Sequence, residues 1–167
     1  SKRTCYEGGL RIPMIMRWRG QVIPHICSKL VSTLDIMPTV LDAAGAEKVA
    51  GLPGDNLRPL FQGHPVSWRE HFFAEYHTHA AAPNFFPQRC VRNERYKLIE
   101  SLLPDIVHPD YEKTIAKLQK DYDDQDYAGH FDIPAMIASA PPGIQKAYAL
   151  MRQPPRFQLY DLQDDPY

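Results

Sequence analysis

The opening twenty residues, SKRTCYEGGLRIPMIMRWRG, constrain the fold of this chain more than any other stretch. A basic residue, Lys2, precedes a Tyr6-Glu7-Gly8-Gly9 turn, an Arg11-Ile12-Pro13 step and an apolar run. Ile12 to Trp18 is broken only by Pro13, which suits a strand start, and by Arg17. Such a run predicts a strand buried on both faces, as in an α/β sheet, closed by Gly20. A cation beside a backbone turn at the start of a strand suits the rim of an anion-binding site. Because the block begins at the first residue, the chain is expected to be the tail of a larger protein. The sheet partners of Ile12 to Trp18 would then lie upstream, and the unpaired strand edges would favour aggregation of the piece alone.

The 167 residues suffice for one domain with its own core. Nineteen Lys and Arg against twenty Asp and Glu leave no bulk charge for nucleic acid or a membrane surface. Sixteen prolines are too many for a helical bundle and predict loops and irregular connections. Cys5, Cys27 and Cys90 are odd in number and widely spaced. They show neither metal spacing nor a disulfide framework and read as small buried residues. No run of about 18 apolar residues is present to span a membrane. No leader is visible, which says nothing about compartment.

A helix is expected from Asp35 to Ala44, with Asp35 as N-cap and Pro38 in the first turn. Met37, Val40, Leu41 and Ala44 would form its core face, and Gly45 its C-terminal stop. Gly51 to Pro65 reads as a loop pinned by Leu57, Leu60 and Phe61, and as a subdomain boundary. Phe72 to His77 and Arg89 to Glu100 read as strands, the second folded into a hairpin at Asn93-Glu94, with Arg95 and Lys97 on its exposed face. Tyr111 to Tyr122 has a helical pattern, and the acidic cluster Asp121 to Asp126 reads as a solvated turn. Pro134 to Tyr148 suggests short helices broken at Pro141-Pro142, and Phe157 to Leu162 a final strand.

Few residues suggest chemistry by themselves. Lys2 suits a tetrahedral anion, although its spacing favours an ordinary solvent lysine. Glu7, held by Gly8-Gly9, reads as a structural hydrogen-bonding group more readily than as a catalytic one. His77 and His79 alternate on an extended segment and point the same way, beside Glu75. They suit contact with a polar substrate, a metal or a purely structural role, and no third ligand is evident. Arg89 and Arg92 flank Cys90-Val91, one free to meet an acidic ligand and the other to pair with Glu94 or an Asp side chain, structural pairing being the default. A phosphate-binding loop with Lys-Ser/Thr, a G-x-S-x-G elbow, an HExxH pair and a C-x-x-C pair are all missing from the sequence.

Several blocks resemble one family in order. Lys2-x-Thr4-x-Tyr6-Glu7-Gly8-Gly9-Leu10-Arg11-Ile12-Pro13, followed by Trp18-x-Gly20, resembles the second signature region of formylglycine-dependent sulfatases. Ser32 to Thr39 is similar to the helix start that follows it. Trp68-Arg69-Glu70, Arg92-x-x-Arg95-Tyr96-Lys97-Leu98-Ile99 and the LYDLQDDP run from Leu159 to Pro166 resemble the C-terminal subdomain. Phe86-Pro87-x-Arg89-x-Val91 and the insertion from Pro104 to Pro155 are most similar to the heparan N-sulfatase branch. Trp18-Arg19-Gly20 stands where Trp-Pro-Gly is usual.

The resemblance implies an alkaline-phosphatase-like α/β fold. Residues 1–50 would end the catalytic domain, and residues 51–167 would form a subdomain with a small antiparallel sheet packed by a helix and an insertion at about 104–155. It implies hydrolysis of a sulfate ester or sulfamate, N-sulfoglucosamine of heparan-type glycans in the favoured branch, by a formylglycine hydrate beside a calcium ion. Lys2 would contact the sulfate, and His77, His79 and Arg89 would bind the sugar. The nucleophile motif, metal carboxylates and catalytic histidines would lie upstream, so the piece alone is expected to be inactive. An O-sulfatase, a phosphoester hydrolase of the same superfamily or a glycan-binding homologue without a nucleophile remain alternatives. By analogy the location is periplasmic, secreted or lysosomal; the oligomeric state is not readable.

Overall fold

Two-residue alternation organises the C-terminal part of the chain. Phe72–Tyr76 (β1), Gln88–Arg92 (β2), Tyr96–Ser101 (β3) and Phe157–Asp161 (β4) form a sheet in that order. The computed structural model describes residues 4–77, 87–104, 106–109, 111–123 and 132–164. They fall into two units, Ser1–Arg11 with Phe73–Tyr167 and, separately, Ile12–Phe72.

In the first unit β2 and β3 are antiparallel, with Cys90 opposite Ile99 and Arg92 opposite Lys97. β4 is antiparallel to β3, with Gln158 opposite Ile99. The expected small antiparallel sheet and its hairpin are present. Asn93 makes the turn: its Oδ1 accepts from the N–H groups of Arg95 (2.9 Å) and Tyr96 (2.6 Å). A short polar side chain that bonds its own downstream backbone is a turn former for this reason.

Alternation sends Gln88, Cys90, Lys97, Ile99, Ser101 and Gln158 to one buried face. The covering segment is residues 5–10, whose Cys5, Tyr6 and Leu10 pack with Cys90 and Ile99. Phe73, Leu98, Phe157 and Leu159 occupy exposed positions of the sheet. Lys97 therefore departs from expectation. It is 1% exposed rather than solvent-facing, because its strand position points inward and a carboxylate meets it there.

Between β3 and β4 come three helices, Tyr111–Asp123 (α3), Ile133–Ser139 (α4) and Pro142–Arg152 (α5), the last two parted at the prolines as expected. (Glu7–Leu10 is α1 and Ile36–Ala43 is α2.) Asp132 caps α4 by accepting from the Ala135 N–H at 3.0 Å. Gln119 Oε1 accepts from the Ile133 N–H at 2.8 Å, tying α3 to α4. The acidic run starts inside α3, where Asp121 pairs with Lys117; its residues beyond Asp123 lie outside the described residues.

The second unit corrects two expectations. Ile12 to Trp18 is not a strand. No described strand pairs with it, Ile15 is 96% exposed, and only Met16 and Trp18 of the run turn toward Leu57, Leu60 and Phe61. Those last three are buried and pin the Gly51–Pro65 loop, as its pattern predicts.

The helix α2 starts directly after Asp35, the expected cap position, but the Asp35 side chain makes no capping bond to it and the expected apolar face does not turn inward. Ser32 Oγ accepts from the Leu34 N–H and Asp35 Oδ2 accepts from the Ser32 N–H at 2.7 Å, so Ser32 caps a short 3-10 turn that leads into α2. Met37 and Val40 are each 54% exposed, whereas Asp35 and Thr39 are buried. The polar side wins because its groups are matched. Asp35 Oδ1 accepts from the Asp55 N–H (2.8 Å) and from an Arg69 Nη (2.6 Å). Thr39 Oγ1 donates to the Asp35 carbonyl (2.6 Å) and accepts from the Leu57 N–H (2.9 Å). Gly45, at φ 65°, ends the helix as expected, with the Ala46 N–H returning to the Leu41 carbonyl at 2.9 Å. The loop crosses the helix start so closely that a Cβ on Gly54 would lie 2.4 Å from the Leu34 carbonyl oxygen.

Replacing Asp35 by Ala removes the acceptor for two backbone N–H groups and a largely buried guanidinium. The expected loss of stability is about 3 kcal/mol, read as a lower urea midpoint. Asp35→Asn keeps one acceptor and should lose less. Equal midpoints for wild type and Asp35→Ala would refute the role given to this network.

Candidate functional site

The signature block enters the described structure at Thr4 and is fixed by Glu7. Glu7 opens α1, so Gly8-Gly9 adopts helical angles and not the forced turn expected of it. The Glu7 side chain is 6% exposed, and it bonds the side chains of Lys97 and Arg92, where a bond to backbone was expected. Its Oε1 accepts from Lys97 Nζ at 2.8 Å, and its Oε2 accepts from an Arg92 Nη at 2.6 Å. A buried carboxylate persists only when paired, and here two cations share it. Arg92 is the more solvated of the two, so the surplus positive charge sits where water reaches it.

Neighbouring groups extend this attachment across the sheet. The Cys5 N–H donates to Gln88 Oε1 at 3.1 Å. The hydroxyls of Tyr6 and Tyr160 both donate to Gln158 Oε1 at 2.8 Å. Residues 5–7 are therefore bonded to β2, β3 and β4 at once. Lys2, three residues before Cys5, and His79 both lie outside the described residues.

His77 and Arg89 are described. His77 Nε2 donates to Glu75 Oε2 at 2.7 Å, with both side chains exposed. Arg89 Nε donates to Glu100 Oε2 at 2.7 Å, and Arg156 approaches the other oxygen at 3.4 Å. Glu75 and Arg89 line one shallow cavity of about 420 Å³, together with Phe73, Leu98, Glu100 and Phe157. An apolar floor with a few convergent charges is the usual make-up of a small-ligand site. Arg89 is already neutralised by Glu100, so an anion binding there must compete with that carboxylate.

The described residues hold no group of three His, Cys, Asp or Glu able to bind a metal ion. They do not fit a calcium site. None of the three cysteines starts a Cys-x-Pro-x-Arg sequence, so the chain's own residues do not fit a formylglycine precursor either. Sequence reasoning missed the Glu7–Arg92–Lys97 cluster and the joining of Asp35 to Asp55 and Arg69. The available signal was that each cluster unites separate motif blocks, but nothing in their spacing says which charge meets which.

Residues 1–132 match the model of a family described as N-sulphoglucosamine sulphohydrolase, C-terminal. The chain is 24% identical over 168 residues to an ulvan-active sulfatase of Formosa agariphila, covering 99% of this chain and 29% of that protein. It is 40% identical over 73 residues to arylsulfatase A of Homo sapiens, covering 43% of this chain and 14% of that one. A solved structure described as a complex with its substrate D-glucosamine-2-N,6-O-disulfate aligns at TM-score 0.38 and 24% identity, over 55% of this chain and 24% of that chain. The chain thus spans less than a third of each of these proteins.

Glu7→Gln leaves two cations facing a neutral amide and is expected to cost about 3–5 kcal/mol. Lys97→Met leaves the Glu7–Arg92 pair neutral and should cost less. Denaturant midpoints of the two variants test that order, and the reverse order would sink it. The carboxyls of Glu100 and Asp161 are held below the ordinary range, chiefly by hydrogen bonds from Arg89 and Arg95 respectively. A lowered folded pKa means their stabilisation is complete above the unfolded value and disappears as pH falls through the folded one. Arg89→Gln should therefore reduce the acid-side loss of stability, with the thermal midpoint changing less between pH 5 and pH 3, on the order of the carboxylate range. An unchanged acid limb would contradict this.

Proposed function

The chain belongs to the N-sulphoglucosamine sulphohydrolase C-terminal family, and on that premise we propose that it is the C-terminal part of a sulfatase. The substrate in this reading is a sulfamate, N-sulfoglucosamine of heparan-type glycans, which water converts to the free amine and sulfate, or a sulfate ester, which water converts to the free alcohol and sulfate. The observation that carries the proposal is the match over residues 1–132. The sheet unit then corresponds to the small antiparallel sheet of an alkaline-phosphatase-like α/β fold.

In this reading a formylglycine and a calcium ion would supply the nucleophile and charge stabilisation, held by residues of the full-length protein outside these 167. The contribution of the chain itself is cationic and positional. The Lys2 ammonium stabilises charge on the sulfate oxygens. Glu7 holds the segment that carries Lys2 to the sheet through Arg92 and Lys97. His77, His79 and Arg89 contact the sugar or its acidic groups, Arg89 by exchanging Glu100 for a ligand anion. The proposed location is periplasmic, secreted or lysosomal. No helix of the described residues is long and apolar enough to cross a membrane.

A second reading, an O-sulfatase, is favoured by the relatives' names, ulvan-active sulfatase and arylsulfatase A. The full-length protein assayed on N-sulfated glucosamine, 6-O-sulfated glucosamine and a phosphate monoester separates the readings. Release of sulfate from the N-sulfated sugar is the expected result. Preference for the O-sulfated sugar selects the second reading, and phosphate release or sugar binding without turnover overturns both. Lys2→Ala is expected to lower kcat/KM by about 10²–10³-fold, and His79→Ala to raise KM more than it lowers kcat. The 167-residue chain alone, given calcium and an aryl sulfate, should show no turnover.

A further inference from the structure

Two of the three cysteines occupy one buried cluster that none of the proposed chemistry uses. Cys5 and Cys90 are 0% and 5% exposed and pack together with Ile99, whereas Cys27 is exposed. The expectation of three small buried residues thus fails for Cys27. The two thiols lie close enough in that cluster to shift each other's ionisation. Independently, the Cys5 N–H is bound at 3.1 Å by Gln88, which lies two residues from Cys90 on the same face of β2. Backbone and side chain of Cys5 are therefore both directed at the strand that carries Cys90.

We propose that Cys5 and Cys90 form a disulfide in the full-length protein, fastening the signature segment covalently to the second strand of the sheet.

In the folded molecule the two thiols are unequal: Cys5 and the nearby Lys97 cation draw the Cys90 thiol down to about 7 despite burial, and Cys90 and burial push the Cys5 thiol up. Before residues 5–10 close over the sheet neither bias exists, so either thiolate can begin the exchange; in one order Cys90 attacks first. It displaces one thiolate from a small-molecule disulfide such as oxidised glutathione, forming a mixed disulfide. Cys5 then gives up its proton, and its sulfur attacks Cys90 Sγ and expels the second glutathione thiolate. One S–S bond breaks and one forms. The two cysteines lose two electrons and two protons, and the glutathione disulfide gains both. Because both sulfurs are buried in the folded molecule, the exchange belongs to the folding stage, before residues 5–10 close over the sheet. An oxidising compartment would sustain the bond.

The test is to refold the full-length protein in a glutathione redox buffer, cap free thiols with N-ethylmaleimide in denaturant, digest, and identify cysteine peptides by mass spectrometry. The expected result is a peptide pair joined through Cys5 and Cys90, with Cys27 capped. Capping of both Cys5 and Cys90, or either one joined to Cys27, would overturn the proposal. This readout uses the wild-type protein and does not depend on a variant folding. A second measurement is the melting midpoint with and without dithiothreitol. Reductant should lower it on the order of 5–10 °C in wild type, given the long loop closed, and leave Cys90→Ser unmoved. Equal shifts in the two proteins would count against the bond.

Discussion

The pairing of Glu7 with Arg92 and Lys97 is the interaction on which the sheet unit depends. A short segment, four-residue helix included, has little cohesion of its own. Its attachment comes from a carboxylate that enters a buried site already holding an ammonium. The desolvation of three charges is offset only if the geometry brings them together, so the cluster forms as a unit or not at all. Around it the same interior accommodates Gln88, Gln158 and Ser101. The covered face of this sheet is consequently a polar network with a small apolar centre at Cys5, Cys90 and Ile99.

The second unit follows the same logic through different residues. Asp35 is fully buried and receives hydrogen bonds from the Ser32 and Asp55 backbones and from Arg69. Three sequence blocks, the helix start, the Gly-Pro loop and the Trp68-Arg69-Glu70 run, converge on that one carboxylate. Trp68 reinforces the meeting by donating from Nε1 to the Leu30 carbonyl at 2.8 Å. Leu57, Leu60 and Phe61 supply the apolar packing beneath.

These two clusters also explain what was readable from the chain and what was not. Local signals transferred well. The hairpin at Asn93, the stop at Gly45 and the break at Pro141-Pro142 each depend on a residue and its immediate neighbours. The order of motif blocks identified the family without any geometry. Hydrophobic periodicity failed where burial is decided by distant charges. Met37 and Val40 have helical spacing, but matched polar partners exist for Asp35 and Thr39, and those residues took the interior. Lys97 was misplaced for the same reason, since its partner stands ninety residues away in the chain. The run from Ile12 to Trp18 shows that apolar composition alone makes no strand where a ladder partner is lacking.

Lys97 has one more consequence, for how the sheet keeps its alignment. A slip of β3 by one residue would turn Leu98 inward and Lys97 outward. Any such slip moves the whole inward set of side chains to the outer face. Here it would strand the Glu7 carboxylate opposite a hydrocarbon, with Arg92 as its remaining partner. The inward lysine thus works as an indexing mark: only one alignment of β3 against its neighbours leaves every charge answered.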